Sequence, residues 1–254
     1  MRVIEGGVCA AKGFTANGIH CGIRKNHSKK DLALILSAVP ASAAAVYTTN
    51  LVKGAPLTVT KKHISNGIAQ AVICNSGNAN TCNANGIEIA EQMSELTAKQ
   101  LGIQAEDVIV ASTGVIGQPL SIEPIAAGLP ELAAGLSVDG GKAAAEGIMT
   151  TDTVMKEVAV EFELDGKVCH IGGIAKGSGM IHPNMATMLV FITTDAAIAP
   201  DMLQKALSGD IANTFNMISI DGDTSTNDMV TVMANGLAGN GCITAEGESF
   251  DTFM

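Results

Sequence analysis

Thr187 sits where a side chain could do covalent chemistry. It follows Lys176, Gly177, Ser178, Gly179, Met180, Ile181, His182, Pro183, Asn184, Met185 and Ala186, and it precedes Met188, Leu189, Val190 and Phe191. Gly177 and Gly179 free the backbone, and Pro183 restricts the residue before it. Such a loop can hold a peptide bond in an attackable geometry. The Thr187 hydroxyl can attack the Ala186 carbonyl in an N-to-O acyl shift, and water then completes the break. The new chain would begin with an α-amine of reference pKa about 7.7–8.0, against about 10.4 for lysine. One residue then supplies both nucleophile and base. The bland alternative is a Gly/Pro turn entering a Val/Leu strand, and a short motif alone does not separate the two readings.

A second segment fits the same chemistry. Ser112, Thr113, Gly114, Val115, Ile116 and Gly117 follow a short apolar run. The Thr113 hydroxyl and backbone, with the Gly114 N–H, could aim donors at a developing oxyanion. One such donor is worth roughly 2.7–4 kcal/mol of barrier. A plain strand-to-loop turn is the competing reading.

These segments need elements to hold them. Val46–Val52 and Leu57–Thr60 read as strands from their β-branched content, and Ala71–Asn75 as a short apolar strand. Ile89, Met93 and Leu96 recur at helical spacing, which predicts a helix over Gly86–Leu101 capped by Asn85. Val108–Ala111 is another strand. Ser121–Gly135 and Asp139–Met149 read as helices. Over Thr153–Leu164, Val154, Lys156, Val158, Val160 and Phe162 share one face of a half-buried strand. Asp165 and Gly166 turn it into Lys167–Ile174 as a hairpin. Met188–Thr193 is a third strand nearby, and Pro200–Phe215 is helical. Strands interspersed with helices, with some antiparallel pairing, predict an α+β fold.

Other patterns are weaker. Asp221, Asp223 and Ser225 resemble the start of a calcium loop. Thr226 and Val232 stand where glycine and glutamate are needed, so no metal is expected there. Gly177-Ser178-Gly179 lacks the third glycine of a dinucleotide fingerprint. Asn75–Asn85 reads as a turn-dense loop with self-capping side chains. None of the five histidines is paired at metal spacing, and His182 reads as a loop residue. Six scattered cysteines without a C-x-x-C pair read as reduced, mostly buried residues of a cytoplasmic protein.

Composition bounds the rest. Of 254 residues, 47% are hydrophobic and only 3% aromatic, so the core is built from Ala, Val, Ile, Leu and Met. The net charge of −10 argues against a nucleic-acid or anionic-membrane partner. The basic cluster Arg24, Lys25, His27, Lys29 and Lys30 reads as a solvated turn. No apolar run reaches the length of a membrane span, and Met1–Gly7 does not open a secretory signal.

Lys176–Phe191 resembles the signature of the ornithine acetyltransferase (glutamate N-acetyltransferase, ArgJ) family. The resemblance extends over the chain through Gly13-Phe14, Tyr47–Asn50, Asn75–Asn80, Ser112–Gly117, Met149–Thr153 and Asp221–Asp228. It implies an αββα layered sandwich with helices flanking stacked sheets. It implies self-cleavage between Ala186 and Thr187, giving an α piece, 1–186, and a β piece, 187–254, that stay associated, and an oligomer of such units. Thr187 matches the acetylated nucleophile, Thr113 and Gly114 the oxyanion pair, and Lys176 and Thr150, or its neighbour Thr151, the substrate-binding residues.

The reaction so implied moves acetyl from N-acetylornithine to glutamate through acetyl-Thr187, with no cofactor or metal. Some members of the family also accept acetyl-CoA. The family's substrate-binding glutamate and C-terminal polar pair fall beyond Met254, so a C-terminally truncated chain is expected. Two rivals stand beside this: a self-cleaving amidohydrolase or aminopeptidase that passes acyl groups to water, and a non-catalytic truncated relative.

Overall fold

The computed structural model describes residues 1–180 and 188–254. Thr187, Ala186 and His182 therefore lie outside the described residues. In chain order the elements are β1 (Arg2–Ile4), β2 (Phe14–Ile19), β3 (Leu32–Tyr47), α1 (Ala55–His63), β4 (Ile68–Asn78), α2 (Gly86–Leu101), β5 (Val108–Val115) and α3 (Glu123–Ala134). Then come α4 (Gly141–Ile148), β6 (Lys156–Leu164), β7 (Lys167–Lys176), β8 (Leu189–Thr194), α5 (Pro200–Asp210), β9 (Met229–Ala234) and α6 (Glu248–Phe253).

Among the described residues the strands form one hydrogen-bonded path, β1-β6-β7-β8-β9-β3-β4-β5, with β2 also on β3. The pairs β4·β5 and β8·β9 are parallel, and each is bridged by a helix, α2 or α5, as parallel pairing requires. The long strand β3 joins two layers. Its first half pairs with β2 and β4, and its second half, Ser42–Tyr47, pairs with β9. The register with β4 shifts between Leu36 and Ala41, an interval that contains Pro40. A proline in a strand belongs at such an irregularity because it cannot donate to the ladder.

Three apolar clusters define the layers. Alternate residues of one strand fall into different clusters, as the two-residue period of a strand demands. Ala33, Ile35, Val72, Cys74, Ile109 and Ala111 meet Ala43, Ala45, Leu189, Phe191, Met229 and Met233 between the sheets. Their neighbours Leu32, Leu34, Ala71, Ile73, Val108 and Val110 face outward onto Val59 of α1, Met93 of α2 and Ile125 and Leu129 of α3. On the other side Ala44, Val46, Val190, Val230 and Val232 face Met202, Leu203, Ala206 and Leu207 of α5 and Phe250 of α6. Helices, sheet, sheet, helices is the αββα order. Burying each of these larger side chains contributes roughly 1.5–3 kcal/mol.

Several local expectations need correction. Leu57–Thr60 is not a strand but the middle of α1. Gly54 precedes the helix, Pro56 sits in its first turn, and the Thr60 hydroxyl donates to the Val110 carbonyl at 2.7 Å while accepting the Val110 N–H at 2.8 Å. Packing on β5 overrides β-propensity there. The strand expected at Val46–Val52 ends at Tyr47 and begins at Leu32. Helix α2 has the expected bounds, but Asn85 makes no side-chain cap bond; its carbonyl accepts the Ile89 N–H instead. Helix α5 stops at Asp210 and gives way to short 3-10 turns at Ile211–Asn213 and Phe215–Met217.

In β6 the face expected to be half-buried is so at Lys156, Val160 and Phe162, but Val154 and Val158 are exposed, Val158 at 61%, while Ala159 of the opposite face is buried. Helix α5 packs on β3 and β9 instead, and the outer side of β6 is covered at its end, where Phe162 meets Phe253 of α6 edge to face. Of the cysteines only Cys74 and Cys169 are buried; Cys9 and Cys21 are half-buried, and Cys82 and Cys242 exposed. None of the helices is long and apolar enough to cross a membrane among the described residues.

Candidate active site

The site lies where β5, β7 and the start of β8 end beside the β4–α2 loop. Strands β4 and β5 run parallel, so Gly77 lies opposite Gly114 in register. The two backbones approach so closely there that a Cβ on Gly114 would sit 2.3 Å from the Gly77 carbonyl carbon. Gly114 also has φ +134, a region L side chains avoid. Both the close approach and the φ therefore require a glycine after Thr113.

The strand end is braced from behind. Asn227 donates to the carbonyls of Ser112 (2.9 Å) and Ala79 (2.6 Å), and its own carbonyl oxygen accepts the Thr81 hydroxyl at 2.6 Å. Ser112 donates to Asn75 Oδ1 at 2.6 Å. Asn75, Asn78 and Asn80 are buried rather than surface turns, and they do cap one another. Asn75 Nδ2 donates to the Asn78 carbonyl at 2.9 Å, and Asn78 Oδ1 accepts the Asn80 N–H at 2.8 Å. Asparagine carries a donor and an acceptor, so each one can satisfy with its Nδ2 a backbone carbonyl that the ladder leaves unpaired, while its Oδ1 accepts from a second partner.

Lys176, the last residue of β7, reaches Thr113: its Nζ donates to Thr113 Oγ1 at 3.3 Å. Burial pulls the Lys176 ammonium below its ordinary pKa, while the nearby Asp152 and Asp228 carboxyls oppose that shift. Asp152 is the clamp of this corner. Its carboxylate accepts the Gly177 N–H (2.7 Å), the Thr150 N–H (3.1 Å) and Lys156 Nζ (2.8 Å). Burial pushes this carboxyl up, but the three hydrogen bonds outweigh it and hold the group below the usual carboxylate range. Asp152 thus fixes Thr150 and the exit of β7 in one stroke.

Asp228 stands at the other wall. Burial raises its carboxyl to about 8, against the Ser225 and Met188 hydrogen bonds and the Lys176 charge. One of its oxygens, Oδ2, is buried without a hydrogen-bond partner among the described residues. A protonated carboxyl is the form this setting favours near neutrality.

These walls enclose a cavity of about 530 Å³, lined among others by Thr113, Gly114, Thr150, Thr151, Lys176 and Asp228. Four of the residues singled out in the sequence, Thr113, Gly114, Thr150 and Lys176, are therefore brought together. Thr187 and Ala186 lie outside the described residues, though the next residue, Met188, lines the cavity. Thr113 and Gly114 belong to β5 rather than to a turn after it. The loop at Ser225–Asp228 lines the cavity. Sequence reasoning missed Asp152, Asn227 and Arg24. Arg24 was read as part of a solvated turn, yet it lines this cavity. A lone Asp or Asn carries no spacing signal, and the basic run around Arg24 masked the one member that points inward.

The layered fold is shared with a serine aminopeptidase. The L-aminopeptidase D-Ala-esterase/amidase of Ochrobactrum anthropi, described as a variant of the Ntn hydrolase fold, matches with a TM-score of 0.57 over 92% of this chain and 75% of that one. At 15% identity it speaks to fold alone. Within that class, residues 15–254 match the ArgJ family, and the chain belongs to that family. It is 54% identical to the arginine biosynthesis bifunctional protein ArgJ of Symbiobacterium thermophilum, over 94% of this chain and 60% of that protein. It is 50% identical to the ArgJ protein of Caldanaerobacter subterraneus over its whole length and 62% of that one. The chain thus spans about three fifths of the length of the curated relatives it matches. Among solved structures, the ornithine acetyltransferase of Mycobacterium tuberculosis in complex with ornithine is 36% identical. It has a TM-score of 0.65 over 72% of this chain and 98% of that one. The ArgJ protein of Bacillus halodurans is 45% identical, with a TM-score of 0.68 over 72% and 96%.

Proposed function

We propose that this chain carries the acyl-transfer centre of a glutamate N-acetyltransferase that cuts itself between Ala186 and Thr187. The Thr187 hydroxyl then takes the acetyl group of N-acetylornithine and releases ornithine. Glutamate accepts the group and leaves as N-acetylglutamate. Splitting one amide exchange into two acyl transfers lowers each barrier. The Thr187 α-amine takes the hydroxyl proton as the acetyl carbonyl is attacked and returns it to the leaving amine. Thr113 Oγ1 and the Gly114 N–H stabilise the tetrahedral oxyanion, a contribution of roughly 2.7–4 kcal/mol per donor. Lys176 and Thr150 hold the substrate. Acetyl-CoA serves as an alternative donor. The reaction runs in the cytoplasm without metal or bound cofactor.

The observation that carries this reading is the convergence of Thr113, Gly114, Thr150 and Lys176 on the one cavity that Met188 also lines. Two further facts support it. The Bacillus halodurans and Mycobacterium tuberculosis chains are matched over nearly their full length while covering 72% of this one, which is about 183 residues, near the 186 of the proposed α piece. The relatives named above are arginine biosynthesis proteins and an ornithine acetyltransferase. Pieces 1–186 and 187–254 stay bound to each other, and such units assemble into an oligomer.

The test is an acid quench during turnover of labelled N-acetylornithine. The label should appear as one acetyl on the peptide that starts at Thr187, and added glutamate should discharge it as N-acetylglutamate. Label passing to water alone, with none on glutamate, would instead favour an amidohydrolase.

A further inference from the structure

Arg24 leaves the basic turn and points into the protein. Asp31, fully buried, pins the turn by accepting the Cys21 N–H at 2.7 Å and the Arg24 N–H at 2.8 Å. The arm then crosses Gly77, where a Cβ would lie 2.8 Å from Arg24 Cγ, so a glycine leaves the path open. Nη2 donates to the Met149 carbonyl, the residue before Thr150. Nε is buried with no hydrogen-bond partner among the described residues. Arg24 lines the same cavity as Lys176.

No carboxylate pairs with either cation among the described residues. The neighbouring Asp31 is occupied by its backbone partners and by His20, and Asp152 by Lys156, Gly177 and Thr150. Asp228 is the acid that lines the cavity, and its burial favours the neutral form. Residues 181–187 contain no Asp or Glu. The cavity wall therefore carries two cations that make no direct ion pair: Asp31 and Asp152 act on Arg24, and Asp152 on Lys176, only at longer range, so a ligand carboxylate is the group that would complete their direct contacts. A guanidinium is suited to that task because its planar N–H fork matches a carboxylate.

We propose that Arg24 is a second carboxylate-binding residue of this cavity, which with Lys176 makes the site selective for a dicarboxylate. This rests on the reading of the cavity as the acetyl-acceptor site and names what selects the acceptor there. The α-carboxylate is common to N-acetylornithine and glutamate. Their side chains differ in sign, an ammonium in one and a carboxylate in the other. Arg24 favours the second and sets glutamate apart from the other amino acids present.

The experiment is calorimetric titration of the protein with glutarate, a five-carbon dicarboxylate without an amine to be acetylated, and with butyrate as the monocarboxylate. Glutarate should bind at least tenfold more tightly than butyrate. Arg24→Ala should bring that ratio close to one with butyrate unchanged, and Arg24→Lys should restore part of it. If Arg24→Ala fails to give a native circular dichroism spectrum, Arg24→Gln, which keeps a donor for the Met149 carbonyl, takes its place. Equal binding of the two ligands, no measurable glutarate binding, or a ratio indifferent to Arg24 would overturn the proposal. An Arg24-dependent ratio in a protein that moves no acetyl group would leave this inference standing and remove the transferase reading.

Discussion

At the scale of the residue, Asp228 is the group with the most to reveal. A free aspartate titrates near 3.9, and burial raises this one to about 8. Between those values the folded chain holds a proton that the unfolded chain has released. Stability from this group is thus complete below about pH 4 and is lost as pH rises towards about 8, at no more than about 1.4 kcal/mol per pH unit. Asp228→Asn keeps the shape and removes the proton. Guanidinium midpoints at about pH 5 and about pH 8 should differ less in the variant than in the wild type. An equal loss in both proteins would mean that Asp228 is charged when folded. The sequence made Thr113, Gly114, Thr150 and Lys176 legible because each falls in a block with a recognisable neighbourhood. Asp152 and Asn227 fall in such blocks too, but a block does not say which member braces the site: that follows from contacts far along the chain, Asp152 to Gly177 and Asn227 to Ser112, and Arg24, outside any block, is placed by its contact to Met149.

At the scale of the element, the end of β5 is the critical piece. Gly114→Ala would put a methyl against the Gly77 carbonyl carbon at a φ of +134. The strand end must shift, at a cost of about 1–3 kcal/mol. The Gly114 N–H moves with it, so the melting temperature should fall and acetyl transfer should fall further than stability explains. Gly166→Ala is the control, because Gly166, in the β6–β7 turn, also has a positive φ, +71, but nothing lies within 4 Å of its Cβ position. Equal loss of activity in the two variants would argue against a special role for the β5 end. Elements were readable where local pattern and packing agree, as in α2 and the β6–β7 hairpin. They were misread where tertiary contact decides. Ala41–Ala45 carries no β-propensity, yet it forms the half of β3 that joins the two layers, because small side chains let the sheets approach.

At the scale of the whole molecule, the proposed cut falls between strands that hydrogen-bond to each other. β8, from the later piece, pairs with β7 of the earlier one through Leu189↔Lys176 to Thr194↔Ile171, and β9 pairs with β3. Leu189, Phe191, Met229 and Met233 share the inner core with Ala33, Ile35 and Val72. The two pieces should therefore co-elute in size-exclusion chromatography after cleavage and part only in denaturant. Separate elution under native conditions would contradict the interleaved core. The αββα class itself was legible through the family resemblance and only in part through periodicity, since strand alternation does not tell which sheet a strand joins.

The account depends on a threonine acquiring a free amine beside its hydroxyl. Intact-mass measurement of the purified chain tests this most directly. Two species meeting at 186/187 are predicted, with a Thr187→Ala variant remaining a single chain. An uncut wild-type chain that nevertheless transfers acetyl to glutamate, or a Thr187→Ala variant that still divides there, would contradict it.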